Sequence, residues 1–141
     1  MGKNTKAKGT NKGTKGPLFT KQTPWETLWL PEPEPHNFPA AHDYLGLLFD
    51  KKTVAEAVAN LEAAKTRVHK AKDLLRASGS ALLPAENLHV RKNIEKVMRG
   101  KKLSPVLLLR RPEGLIIADG YHRVCAAYYL TEDLSVPARL T

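Results

Sequence analysis

The chain contains a single cysteine, Cys125, among 141 residues. That excludes an intramolecular disulfide and a cysteine zinc cluster, and it fits an intracellular setting. No apolar run approaches the ~20 residues needed to span a bilayer. The N-terminus lacks the apolar core of a secretory signal. A soluble, cytoplasmic protein with no membrane partner is the expectation. Acidic residues are absent from the first 21 positions, which carry six lysines.

Charge elsewhere is just as uneven. Residues 22–64 sum to −5, residues 65–111 to +10 and residues 112–141 to −2, which with the initial +6 gives the net +9. Two basic blocks are thus separated by an acidic one. Residues 1–16 are mostly Lys, Gly, Thr and Asn. Such a segment buries too little surface to offset its ordering entropy, so a disordered basic tail is expected. It reads either as an arm touching nucleic-acid phosphates or as a solubilising tail. The length suits one further domain, residues 17–141.

Residues 17–40 hold Trp25 and Trp29 and the run Pro31-Glu32-Pro33-Glu34-Pro35, which favours extended geometry. The spacing of the two tryptophans allows a shared face for bases or a peptide. The preferred reading is a strap that buries the indoles against the domain.

Residues 41–102 read as helical. His42 to Phe49 is rich in apolar residues. Thr53-Val54-Ala55-Glu56 has a capping-box pattern, opening a helix with Val54, Ala57, Val58 and Leu61 on one face. Val68 to Ala77 suggests another helix, closed by Ser78-Gly79-Ser80. Asn87 to Arg99 is the clearest amphipathic helix. Asn87 suits its N-cap, Val90, Ile94, Val97 and Met98 its inner face, and Gly100 its end. Its other side carries Arg91, Lys92, Lys96 and Arg99, followed by Lys101 and Lys102. These six are the candidate nucleic-acid contacts, or else a solvated face.

Residues 103–141 switch to strand patterning. Pro105 to Arg110 reads as a buried strand, Arg111 to Gly114 as a turn, and Leu115 to Ala118 as the returning strand. A helix from His122 to Leu130 and a strand from Ser135 to Leu140 follow, with Pro137 suggesting a sheet edge. Helices followed by a small mixed sheet make the expected class α+β.

The junction Asp119-Gly120-Tyr121-His122-Arg123 is the most informative stretch. A strand that stops at glycine and opens into a helix directs unpaired N–H groups and the positive helix end at one point, which suits an anion. His122 adds a titratable imidazole and Arg123 a permanent cation.

The stretches "LSPVLLL", "LIIADGYHRVCAAYYL" and "SVPARL", within residues 103–140, resemble the ParB/sulfiredoxin superfamily, also called the ParB-like nuclease domain. The whole chain resembles a small bacterial protein carrying that domain. The resemblance implies a ParB/sulfiredoxin-like sheet and a phosphate pocket in which Gly120, Tyr121, His122 and Arg123 contact a nucleotide. Arg123 would pair with phosphate oxygens and His122 would donate a hydrogen bond or serve as acid or base. Asp119 would cap the helix, serve the reaction or help hold Mg2+ brought with the nucleotide. Asp119 and His122 are therefore the candidate catalytic residues, and no protein-held metal set is assigned.

Departures from the family narrow the chemistry. Tyr121 stands where sulfiredoxin-type enzymes carry the reactive cysteine of a G-C-H-R loop, and Cys125 falls inside the helix, which disfavours sulfinic-acid reduction. The residues after the last strand are too few for the helix-turn-helix reader of partition clamps. Two function classes stay open. One is nucleotide binding at Asp119–Arg123 with hydrolysis or phosphoryl transfer. The other is a nonenzymatic nucleic-acid-binding accessory protein using the Lys-rich tail and basic helix 87–102.

Overall fold

The computed structural model describes residues 18–141, so the expected basic tail lies outside the described residues. The chain runs through a 3-10 turn (Trp25–Thr27), α1 (Asn37–Leu45), α2 (Lys51–Ala63), β1 (Arg67–Lys70), α3 (Ala71–Ser78) and α4 (Leu88–Met98). It continues through β2 (Val106–Leu109), β3 (Ile116–Asp119), α5 (Tyr121–Leu130) and β4 (Ser135–Leu140). The class is α+β, as the patterning implies.

The strands form one mixed sheet in the order β1-β4-β2-β3. β1 and β4 are antiparallel, β4 and β2 parallel, and β2 and β3 antiparallel. The inner strand β2 is apolar throughout because both its faces are covered. Val106 and Leu108 join a core with Leu74 of α3, Val90 of α4 and Val124 of α5. Leu107 points the other way, into a core with Ala41 and Leu45 of α1 and Val54 and Leu61 of α2. The two-residue strand period thus divides one apolar run between two helical layers.

Several local expectations are corrected. α1 begins at Asn37 rather than His42, and Pro39 sits in its first turn, where a missing N–H breaks no helical bond. α2 is capped by Asp50, whose carboxylate accepts from Thr53 N–H at 2.8 Å, rather than by Thr53. Arg67–Lys70 is a strand rather than the start of a helix, so the span 41–102 is not wholly helical. Its register pairs Val68 with Pro137. Met98, expected inside, is exposed. β4 is an inner strand despite Pro137. The parallel ladder with β2 opens one residue later, at Val106 and Ala138, so the missing donor precedes it.

The Trp/Pro segment lies against the domain. Trp29 is buried and bridges Leu103, and Trp25 packs on the same core. Arg139 of β4 anchors the acidic proline run by an ion pair with Glu32 at 2.6 Å. The same guanidinium donates to the carbonyls of Leu61 and Glu62 at 3.1 and 2.9 Å, satisfying acceptors at the end of α2. Among the described residues no helix is long and apolar enough to cross a membrane.

Candidate functional site

β3 ends at Asp119 and α5 starts at Tyr121, leaving Gly120 to make the turn. Its φ of 105° is unfavourable for residues with a side chain. Space adds a second constraint. A Cβ at Gly120 would lie 2.5 Å from Val106 Cγ1 and 2.9 Å from Arg123 Nη2. Glycine therefore lets the loop settle directly onto β2.

α5 is opened by Gly120 without a side-chain cap, and Val124 N–H donates to the Gly120 carbonyl at 3.0 Å. Among the described residues, the N–H groups of Tyr121, His122 and Arg123 find no protein acceptor. They are the donors that the start of any helix leaves free, and the helix dipole adds partial positive charge beside them. The expected helix-capping role of Asp119 is not realised.

The Asp119 carboxylate turns to Arg123 instead, with Oδ2 3.0 Å from Nη2. The same nitrogen reaches the Pro105 carbonyl at 3.4 Å. Both side chains are largely enclosed, at 17% and 18% exposure, and Arg123 Nε is buried without a partner. Arg123 is thus held beneath the loop and is not a free cation projecting from it.

The Tyr121 hydroxyl donates to the Ala81 carbonyl, and burial raises its pKa. His122 stacks obliquely near His89 of α4, their ring centroids 5.0 Å apart. Burial first, then His89 and Arg123, lower the His122 pKa from its ordinary value, which favours the neutral imidazole. A neutral ring can accept a proton through one nitrogen. Cys125 is fully buried on α5, and burial pushes its thiol pKa up, which suits a structural thiol.

Two clefts meet at this loop. One, of about 530 Å³, follows the outer side of the edge strand β3 from Leu115 to Asp119 and includes Gly120, Tyr121 and His122. Ala40, Tyr44 and Leu48 contribute to its lining, as do Ser78, Ser80 and Arg111. The other, of about 350 Å³, is lined by His89 and Asn93 of α4 and by Asp119 through Arg123. The predicted stretch is therefore gathered into one place, with Arg123 lining the second cleft only.

Sequence reasoning missed His89, Asn93, Tyr44 and Arg111. The first three lie on helices whose faces are assigned only once the helices pack, whereas Arg111 falls in a turn whose sequence signal, Pro112 and Gly114, concerns the backbone alone. Ser78 and Ser80 carried a signal as a helix break but none as cleft residues. The six basic candidates Arg91, Lys92, Lys96, Arg99, Lys101 and Lys102 line neither cleft. Arg91 lies 3.8 Å from Glu95, an exposed pairing of little energetic consequence.

Among the described residues, no group of three or more His, Cys, Asp or Glu side chains is placed to hold a metal ion. Asp119, the carboxylate of the loop, is already engaged by Arg123. These donors do not make a protein cage for Mg2+. Comparison with known protein families, curated proteins and solved structures yields no match to the chain.

Proposed function

We propose that the loop Asp119–Arg123 binds a phosphate-bearing small ligand, with a nucleotide as the first choice. The observation carrying this reading is the set of unpaired N–H groups at Tyr121, His122 and Arg123 beside two adjoining clefts. Phosphate oxygens accept hydrogen bonds, and the helix end favours their charge. The larger cleft has a volume suited to a small ligand. The proposal retains membership of the ParB/sulfiredoxin superfamily, supported by the succession of strand, D-G-x-H-R loop, helix and V-P strand.

Hydrolysis or phosphoryl transfer is the catalytic part of the proposal. His122 is the loop's available proton acceptor at neutral pH, whereas Asp119 supports Arg123. Arg123 supplies positive charge from beneath and can turn toward an arriving phosphate only by loosening its pair with Asp119. A cytoplasmic setting belongs to the same reading and is supported by the single, buried Cys125.

The test is calorimetry of the full chain with ATP, CTP and GTP, with and without magnesium. Saturable binding that weakens in His122→Ala supports the proposal; absence of binding by the wild type rejects it. A nonenzymatic nucleic-acid reading rests on a separate observation, the exposure of Arg91, Lys92, Arg99, Lys101 and Lys102 away from the clefts. It requires duplex binding that weakens steeply with salt. Salt-insensitive or absent binding would reject it.

A further inference from the structure

The larger cleft has two chemically different parts. At one end are the free N–H groups of α5 and His122. Tyr44 of α1 and Leu48 just beyond it line the same cleft, as do Leu115 and the edge-strand residues Ile116 to Ala118. Tyr44 is 45% exposed and Leu48 is 46% exposed, leaving substantial apolar surface in the cleft that also reaches the start of α5. Ser78, Ser80 and Arg111 also line this cleft.

We infer that Tyr44 and Leu48 are specificity-determining residues that receive the planar base of a nucleotide, while its phosphates lie toward α5. This inference rests on the proposed phosphate site and names the part of the ligand that the loop does not recognise. An aromatic ring presents a face to which a planar base can stack, and the neighbouring aliphatic groups cover the base further. An acyl chain fits less well. It would desolvate the terminal N–H groups of Arg111 without returning hydrogen bonds, whereas a base carries polar atoms at its edge. A bare phosphate would leave the Tyr44–Leu48 wall uncovered.

The decisive measurement compares ATP, CTP and GTP with inorganic tripolyphosphate on the full chain under the same magnesium and salt conditions. At least one nucleotide should bind about ten-fold more tightly than tripolyphosphate, the scale expected of one stacked base. Tyr44→Ala should abolish that advantage, and Tyr44→Phe should retain it. Leu48→Ser should reduce it, giving a second reading if one variant folds poorly; circular dichroism checks both folds. Equal wild-type binding of nucleotides and tripolyphosphate overturns the base-site inference but leaves the phosphate site standing. An unchanged preference in folded Tyr44→Ala and Leu48→Ser also overturns it. If wild type binds neither class, the phosphate site and this inference fall together.

Discussion

Asp119 and Arg123 form an ion pair across the strand-to-helix junction, with Oδ2 and Nη2 3.0 Å apart. It joins the last residue of β3 to the first turn of α5 and holds the Arg123 guanidinium beneath the loop, beside the smaller cleft. Its carboxylate also places a negative charge where an anion is proposed to arrive. The pair therefore stabilises the loop while opposing the proposed binding of an anion.

Asp119→Asn should strengthen tripolyphosphate binding by several-fold, because one negative charge is removed and Arg123 is released. Asp119→Ala should lower folding stability by about 1–3 kcal/mol, since a largely enclosed guanidinium loses its charged partner. Calorimetry and urea unfolding separate the two effects. Weaker anion binding by folded Asp119→Asn would contradict the proposed opposition.

Gly120→Ala should destabilise the fold by about 1–3 kcal/mol from the positive φ alone. The 2.5 Å approach to Val106 Cγ1 adds steric crowding. A double variant, Gly120→Ala with Val106→Ala, should relieve the Cγ1 contact but retain the backbone strain and the 2.9 Å approaches to Val106 Cβ and Arg123 Nη2. Urea midpoints provide the comparison; no rescue by Val106→Ala would show that the Cγ1 contact contributes nothing to the cost.

His122 should contribute a pH-dependent stability. Its folded pKa is lowered by burial, His89 and Arg123, so the folded state binds a proton less readily than the unfolded chain. The contribution is fully present above the ordinary value near 6.5 and is lost as pH falls through the lowered folded value. Urea unfolding between pH 5 and 8 should show this acid loss, and His122→Gln should flatten it. In His89→Ala, the NMR titration of His122 should move back upward; an unchanged midpoint would remove His89 as a cause.

Asn87→Ala should cost about 1 kcal/mol by removing the N-cap of α4. Its side-chain Oδ1 accepts from His89 and Val90 N–H at 3.0 and 3.2 Å. Because α4 also carries His89, the same change should broaden the His122 resonance by loosening its neighbour. Thermal unfolding measures the first effect and NMR linewidth the second; a sharp, unmoved resonance would show that the cap does not hold this ring.

Local composition was sufficient to identify the α+β class, the Asn87 cap and the junction at Gly120. Each depends on interactions over a few residues: an apolar period, a side-chain acceptor near free N–H groups, or a glycine between two elements. β1 was hidden because Val68 acquires its partner from Pro137, far along the chain. Pro137 was misplaced for the complementary reason: whether a missing donor matters depends on where the neighbouring strand begins. The charge of Arg123 was legible, but its engagement by Asp119 required the strand end and helix turn to meet. Tyr44, His89 and Arg111 became cleft residues only through packing of separate elements. Short-range chemistry thus specifies the anion-favouring turn, whereas long-range packing sets its walls, its accessible charge and the proton affinity of His122.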